Sequence, residues 1–259
     1  MSQTSSDRFT GLRVFVAGAS QGIGKASSLL FAKEGAKVFG VARNTSRLDS
    51  LLAELPGVGH KMETCDLSDK NSVQAILSTI RDWGIPDIVL ANYHSRKPAK
   101  RLIRSDWDEE LSSSMGYLYL LFPLCLPEQR AKGFGRWIGV SSLVSEFAGP
   151  GQSAYSIEKK SLEALFRTLA LEESKYGITA NTVLPGFVDT PGTRENYSEE
   201  RFQELEGLSV LGRAARPQEI ASVIGFLASP EASYITGTNL YATGGAHLNW
   251  PLRNKIGEN

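Results

Sequence analysis

The sequence predicts an α/β fold, a doubly wound parallel sheet covered by helices on both faces, three layers in all. Three observations predict it. Short apolar, β-rich runs recur along the chain, and each is followed by a stretch of helical periodicity. The runs are nearly continuous in apolar residues instead of alternating, as expected of strands buried on both faces. At 259 residues the chain is long enough to bury a real hydrophobic core.

In order, residues 12–18 (LRVFVAG) read as the first strand and 24–35 (GKASSLLFAKEG) as the first helix, stopped at Gly35. Residues 36–43 are the second strand and 45–55 the second helix, which Pro56 and Gly57 terminate. Residues 60–67 are the third strand, 70–84 a helix and 86–92 the fourth strand. Residues 105–130 read as one long helix that includes Pro123 and Pro127 and is expected to kink. The fifth strand is 135–142, a long helix covers 152–176, the sixth strand is 178–186, a helix covers 216–229, and the last strand is 237–245. The one long interruption, 187–215, has the length of a functional or mobile segment and is expected to form a substrate-side loop or lid. No repeat, low-complexity tract or linker divides the chain, so one domain over 1–259 is expected, with its core at about 11–245 and a tail at 246–259.

Lys and Arg together number 28, as do Asp and Glu, so the formal net charge is zero. A balanced chain gives no electrostatic reason to expect nucleic acid or an anionic membrane as a partner. Cys65 and Cys125 are too few and too far apart for a disulfide framework or a metal cluster, and they fit a reducing compartment. The first ten residues are polar and lack the apolar segment of a secretory leader, and the longest apolar run, 117–126, is too short to span a bilayer. A soluble, cytoplasmic protein is expected.

Chemistry enters where the first strand turns into the first helix. Gly18, Gly22 and Gly24 are spaced G-x-x-x-G-x-G. Glycine permits a tight turn and lets a pyrophosphate approach the helix N-terminus, whose free N–H groups and dipole favour anions. Such a turn alone is weak evidence, but its placement makes dinucleotide binding the expectation. The end of the second strand offers no acid for a ribose 2′-hydroxyl. It offers Arg43, nineteen positions past Gly24, where a guanidinium suits a 2′-phosphate; the plain alternative is a solvated arginine at a strand end. NADP(H) is therefore favoured over NAD(H), with Ser20, Asn44 and Arg47 placed to assist. Asp66 reads equally as a contact to the adenine end or as part of a helix start, since Ser68 or Asp69 suits an N-cap.

Tyr155 and Lys159 are four positions apart, which stacks two side chains on one helix face. Alone, that pair is most often chance decoration. Ser142, at the end of the fifth strand, precedes Tyr155 by thirteen residues. With these pieces together the chain resembles the classical short-chain dehydrogenase/reductase family. The resemblance is carried by GASQGIG at 18–24, CDLSD at 65–69, VSS at 140–142, YSIEK at 155–159, NTVLPGFVDTP at 181–191 and ASYITGTNLYATGG at 232–245. It implies a Rossmann-type fold, a homotetramer or homodimer, and hydride transfer between a nicotinamide and a carbonyl/alcohol pair of a small-molecule substrate.

By position, the resemblance implies that Tyr155 is the general acid in reduction and the base in oxidation. Lys159 would lower the phenol pKa and hold the nicotinamide ribose, and Ser142 would hydrogen-bond the substrate oxygen. The physical logic agrees. A phenol titrates near 10 and is a poor base at neutral pH, and a neighbouring ammonium draws it down. A serine hydroxyl and a tyrosine proton aimed at the carbonyl oxygen stabilise the charge that builds there. The implied cofactor-binding set is Gly18, Ser20, Gln21, Gly22, Ile23, Gly24, Arg43, Asn44, Asp66, Leu67, Asn92, Tyr155, Lys159, Pro185, Gly186, Val188 and Thr190. His94, Arg96 and Leu143 fall on the substrate side. Lys160 lies off the Tyr155 face and reads as a solvated charge.

The pattern breaks in three places. The family usually carries Asn-Asn-Ala-Gly after the fourth strand, where this chain has Ala91-Asn92-Tyr93-His94. His94 cannot follow a glycine path that needs positive φ without strain. Arg96 and Lys97 follow, either as solvated loop charges or as a cationic mouth for an acidic or carrier-linked substrate. The family's fourth catalytic residue is an Asn seven positions after a Trp; counting from Trp107 gives Ser114, either a shorter-reaching water holder or helix filler. Thr243 stands where Asp is usual and carries no catalytic implication, and Trp250 and Leu252 in the tail suit either a neighbouring subunit or the pocket. These breaks keep two other readings open: a member that binds NADP(H) without turnover, and a C=C reductase or isomerase.

Overall fold

The structure, a computed structural model, describes residues 7–94, 114–147 and 151–248. In chain order these form β1 (Arg13–Ala17), α1 (Gly22–Lys33), β2 (Lys37–Ala42), α2 (Thr45–Glu54), β3 (Lys61–Thr64), α3 (Lys70–Trp83), β4 (Ile88–Ala91), α4 (Gly116–Lys132), β5 (Gly135–Val140), α5 (Ser153–Glu173), β6 (Ile178–Pro185), α6 (Pro191–Asn196), α7 (Glu199–Glu206), α8 (Pro217–Ala228) and β7 (Asn239–Ala242). The strands make one sheet in the order β3-β2-β1-β4-β5-β6-β7, every pair parallel. The fold is thus the Rossmann-like α/β fold that the alternation predicts. Strand order reverses direction between β1 and β4, which opens a crevice at their carboxyl ends.

The near-continuous apolar strands are explained by two cores. Val14 and Val16 of β1 face one side with Phe31 of α1, Leu48 and Leu51 of α2 and Ile224 of α8. Phe15 and Ala17 face the other with Ile76 and Ile80 of α3, Leu118 and Leu121 of α4 and Phe166 of α5. All of these side chains are buried. No described helix is long and apolar enough to cross a membrane.

Two expectations are corrected. The helix expected over 105–130 is not continuous through Ser114 and Met115, which form a turn; α4 starts at Gly116 and runs through Pro123 and Pro127 to Lys132. Residues 95–113, including Arg96 and Trp107, lie outside the described residues. The segment 187–215 is not a structureless loop: it holds α6 and α7, and its ends meet in a parallel bridge between Val188 and Ala215. Local capping explains this. Thr190 and Thr193 form a reciprocal box around Pro191 at the start of α6, and the Ser198 side chain accepts from the Arg201 amide at the start of α7.

One buried polar link ties α4 to the sheet. The indole N–H of the fully buried Trp137 donates to Gln129 Oε1 at 2.8 Å, and Gln129 Nε2 donates to the Pro86 carbonyl at 2.8 Å. Gln129→Ala strands both groups without partners, and we expect a loss of about 2–4 kcal/mol. The check is a urea titration, in which the midpoint falls while the slope is unchanged.

Candidate active site

The turn between β1 and α1 is built by close backbone approach. A Cβ on Gly24 would sit 2.1 Å from the Gly18 carbonyl oxygen, so only glycine fits there. Gly18 and Gly22 take positive φ, 73° and 55°. The N-cap of α1, Gln21, provides no side-chain acceptor, which leaves the first N–H groups of the helix for an anion. These groups border a cavity of about 500 Å³ lined by Ser20, Gln21, Ile23, Arg43, Arg47, Leu67, Asn92, His94 and Thr190. An open helix N-terminus, a cradle that a Cβ would fill and two guanidinium groups fit a phosphorylated dinucleotide.

The remaining cofactor-side residues divide. Asn44 lines the cavity, but its side-chain oxygen caps α2 by accepting from the Arg47 amide at 2.8 Å. The Arg47 guanidinium donates to Gln21 and lies 3.8 Å from Glu195 of α6. Asp66 does not border the cavity. Its carboxylate accepts from the Ser68 hydroxyl and amide at 2.7 and 2.9 Å, while Asp69 caps α3. Burial works against ionisation of Asp66, yet the Ser68 bonds, with Arg43 and the Tyr93 hydroxyl, hold it below the usual carboxylate range. Asn92 Nδ2 reaches the Gly18 carbonyl at 3.3 Å and ties β4 to the glycine turn. Pro185 and Gly186 end β6, where Gly186 leaves no room for a Cβ against Thr243.

Ser142 sits at the end of β5, and Tyr155 and Lys159 sit on the first turns of α5. Ser142 follows β5 and caps a short 3₁₀ turn, Leu143–Ser145, by accepting from the Val144 amide at 3.2 Å. That bond uses a lone pair and leaves the hydroxyl proton to donate. Tyr155 and Lys159 share a face of α5, with the Lys159 ammonium 5.5 Å from the phenol ring centre. Lys159 is buried and donates to the Val140 carbonyl at 3.1 Å, which anchors it to the end of β5.

Glu158, which the sequence reading passed over, is the added group. Its buried carboxylate lies 3.3 Å from Lys159 Nζ through Oε1, and Oε2 accepts from Ser114 at 2.8 Å and pairs with His94 Nδ1 at 2.9 Å. Burial opposes its charge, but Lys159 first, then His94 and Ser114, outweigh that and hold the carboxyl down at about 2. Two positions where the chain departs from the family pattern, His94 and Ser114, thus meet on one carboxylate. His94 also packs edge-on against the Tyr155 ring at 4.6 Å, and no described non-glycine residue has positive φ, so it sits there without backbone strain. The signal was available: position 158 is three residues after Tyr155, on the same helix face.

A second buried carboxylate holds the serine turn. Glu163 accepts from Ser141 and Ser145 at 2.6 and 2.5 Å and from Asn239 of β7 at 2.9 Å. Lys160, expected as a solvated charge, instead pairs with Glu146 at 2.7 Å and Glu163 at 3.1 Å, because the next helical turn carries a buried acid it can reach. Thr243 bonds His247 at 2.6 Å, and Trp250 and Leu252 lie outside the described residues.

The chain is similar to known proteins over most of its length. A family model described as enoyl-(acyl carrier protein) reductase matches residues 18–247. The 3-oxoacyl-(acyl-carrier-protein) reductase FabG of Vibrio cholerae is 34% identical over 236 residues, 90% of this chain and 96% of its own length. The protein of the same name from Pseudomonas aeruginosa is 35% identical over 238 residues, 90% and 96% of the two chains. A solved short chain dehydrogenase/reductase family protein superposes with a TM-score of 0.84 at 31% identity, covering 93% of this chain and all of the other. A glycine turn at the first crevice, a serine after β5, a tyrosine and lysine on α5, and this extent of likeness lead to one conclusion: the chain belongs to the classical short-chain dehydrogenase/reductase family.

Proposed function

We propose that this oxidoreductase is an NADP(H)-dependent carbonyl reductase whose substrate is a 3-oxoacyl thioester, with Tyr155 as the proton donor. The observation that carries the reading is the Tyr155–Lys159 pair on one face of α5, with Lys159 anchored to the Val140 carbonyl two residues before Ser142. The substrate class follows from the 3-oxoacyl reductases that the chain resembles. When bound, the nicotinamide supplies hydride to the carbonyl carbon. Ser142 donates to the carbonyl oxygen, Tyr155 transfers its proton to that oxygen as negative charge builds, and Lys159 favours the phenolate left behind. Arg43 and Arg47 would hold the 2′-phosphate, and the α1 N-terminus the pyrophosphate. One site residue of the sequence reading, Arg96, lies outside the described residues and adds nothing to this assignment.

The family model's description favours one further reading, reduction of the C=C bond of an enoyl thioester. The two differ in product. A 3-hydroxyacyl product from a 3-oxoacyl thioester supports the first, and a saturated acyl product from an enoyl thioester with no 3-oxoacyl turnover supports the second.

Tyr155→Phe should lower kcat by on the order of 10²–10⁴-fold with a far smaller change in NADPH affinity. Stopped-flow absorbance of NADPH with a 3-oxoacyl thioester, beside NADPH fluorescence titration, checks both halves. Arg43→Ala should raise KM for NADPH by roughly 10–100-fold and change KM for NADH little, because only the former loses a charge-assisted phosphate contact. Equal changes for the two cofactors would contradict the 2′-phosphate assignment.

A further inference from the structure

We propose that His94 and Glu158 form the path by which protons return from solvent to the Tyr155–Lys159 pair. The proposal rests on the reading above, in which Tyr155 gives up a proton each turnover and must regain one.

The contacts link His94 to Lys159 in two steps. His94 Nδ1 is 2.9 Å from Glu158 Oε2, and Glu158 Oε1 is 3.3 Å from Lys159 Nζ, so one carboxylate bridges the imidazole and the ammonium with its two oxygens. Exposure falls along that line: the side chains are 32% exposed at His94, 7% at Glu158 and 4% at Lys159. Ser114 donates to the His94-facing oxygen at 2.8 Å and steadies the carboxylate between the imidazole and the ammonium. An ion pair with Lys159 alone would already satisfy a structural charge; the structure adds a solvent-reaching titratable ring in contact with the phenol that does the chemistry. Among the described residues, the titratable groups around His94 are Glu158, Lys159 and Tyr155 of α5, Tyr93 beside it in the chain, and Tyr117 of α4, which packs on Tyr93. Burial foremost pushes the phenols of Tyr93 and Tyr117 up, so they stay neutral and do not compete as proton carriers.

The proton count closes. Tyr155 passes its proton to the substrate oxygen and becomes a phenolate. The Lys159 ammonium makes good that proton and becomes an amine. With that positive charge gone, the influence that most strongly holds the Glu158 carboxyl acidic is removed. Glu158 then takes the Nδ1 proton of the His94 imidazolium on Oε2, turns its carboxyl about Cγ–Cδ and gives that same proton to the amine. His94 is then neutral with its remaining proton on Nε2; a ring flip turns the bare Nδ1 to solvent, where it takes a proton from water, and the return flip restores the imidazolium. One proton enters from water, one leaves on the alcohol, and no electron is moved in these steps.

The first turnover uses a proton already on Tyr155, and later turnovers need the path. His94→Ala should therefore lower steady-state turnover on the order of 100-fold, with a far smaller effect on the first turnover seen by stopped flow. Added imidazole should restore the steady state. Glu158→Gln, of the same shape but unable to carry a proton, should show the same split without rescue. The chain has three histidines, so ¹⁵N-histidine spectra of the protein without cofactor can read the His94 ring directly, and Nδ1–H is the expected neutral tautomer. Equal losses in first and later turnovers with no imidazole rescue, or an Nε2–H tautomer, would overturn the path. Tyr155→Phe separates the two readings: if it abolishes the first turnover, failure of the His94 tests falls on the path alone. If it leaves turnover intact, the assigned function fails and the path with it.

Discussion

Parallel pairing is the constraint on which the rest of the molecule depends. Each strand of a parallel sheet must be entered from the same end, so every connection is a crossover and every strand delivers its following loop to one edge. Here that edge receives the glycine turn after β1, Arg43 after β2, Asn92 and His94 after β4, Ser142 after β5, and Thr190 after β6. Residues scattered from 18 to 190 become neighbours because the ladder allows no other placement. The reversal of strand order between β1 and β4 then decides where along the edge a ligand finds depth.

That constraint explains what was legible in the sequence. The strands, buried on both faces, read as apolar runs, and the glycine turn was visible because backbone crowding leaves a compositional trace. Tyr155, Lys159 and Ser142 were legible as spacing, given a family pattern to compare. What was not legible depended on pairing across the chain. Glu158 looked like any helical glutamate until β4 and the turn at Ser114 brought partners to it from positions 64 and 44 residues away. Lys160 looked solvated because its partner Glu163 is one turn along, and nothing in its own pattern marks Glu163 as fully buried. The helices within 187–215 were missed for a simpler reason: their caps are threonine and serine, residues that also populate loops, and each helix is too short to display a period.

The electrostatics of the site follow from how little water reaches it. A carboxylate 3.3 Å from the Lys159 ammonium offsets much of the positive field that the lysine alone would project onto Tyr155. The charge felt by the phenol is therefore the sum over three groups, Lys159, Glu158 and His94, and only the last reaches solvent appreciably. A chain that replaces a flexible glycine with histidine and a polar amide with serine has not simply lost two family residues. The replacements are matched, each bonding to the same oxygen, Oε2 of Glu158.

Glu163 carries a consequence for assembly. Its carboxylate is the shared anchor of Ser141, Ser145 and Asn239, and the bond to Asn239 spans 76 positions. Contacts of such separation form late, after the loop entropy between them has been overcome. The serine turn that presents Ser142 thus gains its last anchor only when β7 docks at the edge of the sheet. A ribosome-bound chain that has folded through β6 would possess the tyrosine, the lysine and both serine bonds to Glu163, but lack the Asn239 bond that anchors that carboxylate. The order of synthesis therefore withholds the finished site until the last strand is in place.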